Sequence, residues 1–249
     1  MTDLLQMFPK ISRARAFRIY GGGRRFVDLW LSGGEALMGH KSAYLARDIK
    51  NLANRGLFAP LPAAAARRFD KALERLFPGK TFKIYADWSV FPDYKKLPVW
   101  RPFSSLPDWE KAGAFRPVLP FPLAPAVVVC EKSFLDDYPS GGYVSPLLLT
   151  AATRSIYDML ACPERSVMRF AAIKKAFELP ETQKNWRLDG IYIYPVNADM
   201  TEEVWGLTFR RFMEGGFLLP PDRYSPLILP SELSKGEERA LANLLMQAF

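Results

Sequence analysis

The sequence predicts an α/β or α+β fold, and three observations carry that reading. Stretches with helical spacing of apolar residues alternate with short strand-like runs. Glycines and prolines fall between them as stops and turns. Hydrophobic residues make up 49% of the chain and aromatics 14%, enough to build a core and well outside the range of disordered chains. At 249 residues the chain has room for one large domain or two modest ones.

The elements follow in order. Residues 3–7 suit a short helix ending before Pro9, and Arg13-Ala14-Arg15 reads as a basic link. Residues 17–20 and 25–30 flank Gly21-Gly22-Gly23, which predicts a hairpin. A phosphate-loop reading of those glycines lacks any GxGxxG or GxxxxGK[ST] pattern. Residues 42–54 place Leu45, Ile49, Leu52 and Ala53 at helical spacing, with Gly56 as a stop. A second helix over 63–77 presents Phe69, Leu73, Leu76 and Phe77, then ends at Pro78-Gly79. Residues 81–85 form a strand. The proline-rich, aromatic passage that follows, to Pro125, excludes long helices and interior strands.

The valines of 126–130 predict a buried strand, and a turn through Tyr138, Pro139, Gly141 and Gly142 comes next. Pro146 opens a helix reaching about Leu160, and another helix follows Pro163 with Val167, Phe170, Ile173, Lys174 and Phe177. Residues 190–194 predict a strand closed by Pro195. A helix over 202–213 stops at Gly215-Gly216, and short strands are expected at 217–219 and 226–229. Ser234 with Glu237 three residues on is a capping-box pattern that starts the C-terminal helix.

A formal net charge of +8 favours anionic partners, although lysines and arginines are spread along the chain as they are on many soluble surfaces. Only Cys130 and Cys162 are present, which argues against a disulfide framework and for a reducing compartment. The N-terminal residues lack the pattern of a secretion signal, and the longest apolar run, 124–130, is too short to span a membrane. The expectation is a cytoplasmic protein with no membrane partner. A single histidine, His40, excludes His-rich metal sites, and the cysteines are too far apart for CxxC. With no GxSxG element, His40 reads as structural. The pairs Asp136-Asp137 and Glu202-Glu203 are adjacent in sequence and so point different ways. Tyr94-Lys95-Lys96, Trp100-Arg101 and Trp186-Arg187 mix aromatic and basic residues as single-strand nucleic-acid surfaces do. No nucleic-acid module accompanies them, so nucleic acid is disfavoured as a partner and the rings read as core or interface.

The order hairpin, glycine pair, Gly-His, helix resembles the N-terminal segment of class III aminotransferases, fold-type I enzymes that use pyridoxal phosphate. Asp28, Gly33, Gly34, Gly39 and His40 stand in the matching places. Ile84-Tyr85-Ala86-Asp87 is similar to the strand end whose Asp contacts the cofactor's pyridine nitrogen. Pro107-Asp108 resembles the Pro-Asp that precedes the Schiff-base lysine, and residues 122–128 the strand entry after it. Tyr138-Pro139-Ser140-Gly141-Gly142 with Ser145-Pro146 looks like the glycine turn at which a partner subunit offers a hydroxyl to the phosphate. The C-terminal segments resemble the family's small domain. The resemblance implies an aminotransferase-like small domain from residues 1–62 and 145–249, with 63–144 a truncated large cofactor domain. It also implies a homodimer, or a heterodimer with a full-length aminotransferase.

Departures from the family pattern bear on activity. Between Phe77 and Thr81 the family would have on the order of a hundred more residues, comparable to a whole domain. Those residues hold its phosphate-binding loop and the aromatic that stacks on the pyridine ring. Counting from the flanking motifs places the lysine position near Ala114, and Lys111 lies three residues away. Schiff-base catalysis requires that amine. Pro139 stands where a Thr would be, with Ser140 beside it. Asp87, Lys111 and Ser140 are therefore the candidate cofactor-binding residues, Asp87 reading equally as a turn former. No catalytic residue or metal ligand is assigned. The leading expectation is a catalytically degenerate binding or assembly subunit without cofactor. Two alternatives stay open: a pyridoxal phosphate enzyme with a relocated lysine, and a basic module for a phosphorylated ligand or single-stranded nucleic acid.

Overall fold

Two consecutive left-handed glycines, Gly22 at φ +57° and Gly23 at φ +74°, close the first hairpin. They join β2 (Arg18–Gly21) to β3 (Arg24–Asp28) in register Gly21 with Arg24. Positive φ at both central positions matches the twist of the flanking strands, which is why glycine serves here. The computed structural model describes residues 4–56, 61, 63–87, 97–104, 109, 111–120, 124–162, 169–196 and 200–247. Tyr94-Lys95-Lys96, Pro107-Asp108, Pro122-Leu123 and Pro163 to Val167 lie outside the described residues. The chain forms two compact units, one of residues 1–40, 103–105 and 164–249, the other of 41–102 and 106–163.

In the first unit, β1 (Ile11–Arg15) pairs antiparallel with β2, so the expected basic link is an edge strand. Four of its five residues are exposed, which leaves no inward-outward alternation for the sequence to display. On the other side β9 (Phe217–Leu218) runs parallel to β3, giving the order β1-β2-β3-β9. Ile19 and Phe26 face each other across the hairpin and are buried. The expected strand at 190–194 is instead half of a second hairpin, β7 (Trp186–Asp189) with β8 (Tyr192–Pro195), and Gly190 turns it at φ +59°. A side chain at Gly190 would put its Cβ 2.1 Å from the Phe103 carbonyl oxygen. β10 (Leu227–Ile228) pairs with the free side of β8.

The helices of this unit are α4 (Ala171–Phe177), α5 (Pro180–Asn185), α6 (Glu202–Glu214) and α7 (Lys235–Met246). Trp186 is buried with its ring centroid 6.4 Å from that of Trp205 and 6.2 Å from that of Phe212. Both hydrogen bonds of the capping box at Ser234 and Glu237 are formed. Glu237 also accepts from Arg18 through both carboxylate oxygens, at 3.0 and 2.7 Å, and lies 3.2 Å from Arg25. One carboxylate thus caps α7 and ties its first turn to β2 and β3.

The second unit contains α1 (Ala43–Asn54), α2 (Ala64–Leu76), β4 (Thr81–Tyr85), β5 (Ala112–Phe115), β6 (Ala126–Cys130) and α3 (Pro146–Leu160). Ser42 accepts from Leu45 N–H and Ser145 from Leu147 N–H, so both helices start on a serine oxygen. α3 packs against both α1 and α2. The boundaries expected at 62/63 and 144/145 fall inside this unit. The proline-rich passage contains β5, against the expectation that it holds no interior strand. Its four residues include no proline, and it lies between β6 and a bridge to Val99. No helix among the described residues is long and apolar enough to cross a membrane.

Candidate functional site

The residues singled out for a cofactor all belong to the second unit, around the sheet β4-β6-β5. β4 and β5 both run antiparallel to β6, so they are parallel to each other. Thr81 and Ala112 both pair with Cys130, while Tyr85 pairs with Ala126. Lys111, just before β5, therefore sits at the Cys130 end of the sheet, and Asp87, two residues past β4, at the Ala126 end. At about 3.3 Å per strand residue and nearly 5 Å between strands, their backbones are roughly 15 Å apart or more.

Ser140 belongs with Asp87. The Tyr85 hydroxyl donates to the Pro139 carbonyl at 2.8 Å, and a Cβ on Gly141 would lie 1.7 Å from the Ile84 carbonyl oxygen. This close approach pins the turn bearing Ser140 to the C-terminal end of β4. Ser140 and Asp87 are exposed. Lys111 is exposed at the opposite end, its Nζ 5.7 Å from the Phe134 ring centroid.

Ala114, at the expected lysine position, is fully buried in the middle of β5. Its N–H donates to Pro98 O and its carbonyl accepts from Trp100 N–H, both at 2.9 Å, while β6 pairs its other side through Val128. Strand alternation puts Ala112 and Ala114 on the same face as Val128, Cys130 and Tyr85. Phe134, Leu135 and Tyr138 pack over this apolar cluster. The opposite face carries rings: Phe77 lies 5.2 Å from Trp100, 5.5 Å from Trp109 and 5.4 Å from Phe115. Trp109 lies flat against Gly113, where an added Cβ would stand 2.1 Å from its Cε2. The sequence did not single out Trp109 or Gly113, and their pairing required the strand register to be seen. These residues do not fit a Schiff-base cofactor. An amine at Lys111 and a carboxylate at Asp87 are at opposite sheet ends, and the position between is an alanine in a packed apolar layer.

In the first unit, Asp28 is buried at the end of β3. Its Oδ1 accepts from Trp30 N–H at 2.9 Å and Leu31 N–H at 2.8 Å, and His40 Nε2 donates to Oδ2 at 2.8 Å. His40 N–H donates to Ala16 O at 2.8 Å. Between the two side chains, Leu31, Ser32, Gly33, Gly34 and Gly39 all have positive φ. Non-glycine residues in that region carry strain, and Asp28 and His40 hold the loop closed. The arrangement brings no nucleophile to His40 among the contacts described, and it works as a brace.

No family model matches the sequence. An uncharacterised protein of Treponema pallidum is 25% identical over 92% of this chain and 91% of its own length. Among solved structures, ornithine aminotransferase from Plasmodium yoelii superposes with a TM-score of 0.71 at 9% identity, covering 95% of this chain and 92% of that one. A glutamate-1-semialdehyde aminomutase from Pseudomonas aeruginosa gives 0.69 at 12% identity, covering 97% and 88%. Structural neighbours of this kind are class III pyridoxal phosphate-dependent aminotransferases. Identities this low speak to architecture alone, and the chain carries an α+β, aminotransferase-like fold.

Proposed function

We infer that the protein is a non-catalytic member of the aminotransferase-like fold, acting as a binding or assembly subunit in the cytoplasm. The observation that carries this reading is Ala114: an alanine, buried in a paired strand, occupies the position where the resemblance calls for the Schiff-base amine. Lys111 stands at the wrong end of the sheet to replace it while Asp87 keeps its place. The partner is a second copy of the chain or a full-length aminotransferase, since the resembled family builds its sites across a dimer.

The test is spectroscopic. Pyridoxal phosphate added to the purified chain is expected to give no visible imine band beyond that of a surface-lysine control protein, and Lys111→Ala is expected to leave the spectrum unchanged. A band that saturates at one equivalent and disappears in Lys111→Ala would establish the relocated-lysine enzyme instead.

A further inference from the structure

A cleft of about 290 Å³ opens among α1, α2 and α3 of the second unit, and its lining is basic and polar where packed helices are ordinarily apolar. On α1 the lining positions are 48, 51, 52 and 55, and on α3 they are 150, 153, 154 and 157. Each set has the i, i+3, i+4, i+7 spacing that places residues on one face of a helix. Those faces present Asn51 and Arg55 from α1, and Thr153, Arg154 and Tyr157 from α3, with Arg68 of α2 completing the wall. Asp48 is the acid among these lining residues.

Three features make the cleft an anion site rather than a solvated surface. First, Arg154 is held in place before any ligand arrives: its Nη2 donates to Asp158 at 2.7 Å and its guanidinium lies 4.7 Å from the Tyr44 ring centroid. Its Nε is buried and finds no acceptor among the described residues. Second, Arg55 and Arg68 have no carboxylate partner among the described residues. Third, α2 starts on Ala63, which has no side-chain acceptor, and its first turn contains no acidic residue. Arg67 closes that turn and Arg68 opens the next. A cation in the first turn opposes the helix dipole, so Arg67 gives α2 no support there. Arg55 at the C-terminus of α1 is accounted for by the dipole of that helix, whereas Arg68 lies past the first turn of α2, beyond the reach of its terminus.

We propose that this cleft binds a small molecule through a dianionic phosphate monoester, with Arg55, Arg68 and Arg154 as its charge partners. Guanidinium groups match phosphate oxygens in pairs, and an anion in the cleft offsets the unpaired charges of Arg55 and Arg68. The volume is at the small end for ligand sites, which fits a metabolite-sized molecule and not a polymer. None of Asp87, Lys111 and Ser140 lines the cleft, so the proposal does not depend on the reading of the sheet.

Calorimetric titration of the full chain with glycerol phosphate, and separately with succinate, tests it. Saturable binding of glycerol phosphate is expected, with succinate at least about tenfold weaker. Arg68→Gln, an exposed substitution that leaves the helix intact, is expected to weaken binding about tenfold or more, in the range of a charged hydrogen bond. Arg154→Gln is expected to do the same, and Arg67→Gln, outside the lining, to stay within about twofold. No heat with either ligand overturns the site, and so does an unchanged affinity in Arg68→Gln. Succinate binding as tightly as glycerol phosphate overturns the phosphate assignment. The titration heat and the imine band are separate readouts, so this proposal and the non-catalytic reading can fail independently.

Discussion

Asp28 shows what one buried carboxylate does in this chain: three donors converge on it, and two of them are backbone N–H groups in a loop of positive φ. Asp28→Ala leaves those donors without an acceptor and is expected to cost about 3 kcal/mol or more. Asp28→Asn keeps an oxygen for the two N–H groups and is expected to cost about 1 kcal/mol. Chemical denaturation of both variants checks the order, and equal losses would mean that the loop is held by something else. Glu237 makes the complementary case in acid. Burial pushes its pKa up, but hydrogen bonds from Arg18 and Ser234 and the Arg18 charge outweigh it and lower the value from 4.5 to about 2. A folded pKa below the unfolded one means that the stabilisation is fully present above about pH 4.5 and is lost as pH falls to about 2. Glu237→Gln is therefore expected to be about 2–3 kcal/mol less stable than the parent at pH 7, with the gap closing near pH 2. A gap independent of pH would show that the ion pairs are not its source.

At the scale of elements, most helices were legible because their signals are local, while the short α5 (Pro180–Asn185), which lacks a side-chain cap, was missed. Ser42, Ser145 and Ser234 each accept the backbone N–H expected of a cap, and Pro146 stands in the first turn of α3. Strands were legible where a valine run marked them, as in β6, and missed where the evidence lies across the sheet. β5 reads Ala-Gly-Ala-Phe, with no β-branched residue, and its strand character comes from β6 and the Val99 bridge. Its glycine is fixed by a neighbour as well: Gly113→Ala would drive a methyl into the Trp109 indole. That substitution is expected to cost about 1–3 kcal/mol by overpacking. In a Trp109→Leu background it is expected to cost less than about 0.5 kcal/mol, because the collision is gone. Additive losses in the double variant would place the strain in the strand itself. The arginine cleft was hidden for a related reason. Leu45, Ile49 and Leu52 gave α1 its apolar periodicity, and only the neighbouring helices reveal that Asn51 and Arg55 face a cavity.

For the whole molecule, sequence order reported the fold better than the placement of the candidate site. Asp87, Lys111 and Ser140 occur in the order the resemblance implies, but order along the chain does not fix which end of a sheet a residue reaches. The registers of β4 and β5 against β6 decide that, and they separate Lys111 from the other two. The same sheet offers a measure of how firmly the second unit is closed. Cys130 and Cys162 are both free thiols, Cys130 buried at 1% exposure in β6 and Cys162 half-buried beyond α3. Cys130 accepts pairing from Thr81 on one side and Ala112 on the other, so its sulfur is reached only when the three strands separate or the cover of Phe134, Leu135 and Tyr138 lifts. Under native conditions a thiol reagent is expected to label Cys162 at least about a hundredfold faster than Cys130, whose rate follows the population of open states. Reducing agent is expected to leave the melting temperature unchanged, since neither cysteine is bonded to the other. If Cys130 reacts as fast as Cys162 in the folded chain, the apolar layer over Ala114 opens readily. Room for a cofactor would then exist where the packed sheet excludes it, and the non-catalytic reading would lose its structural ground.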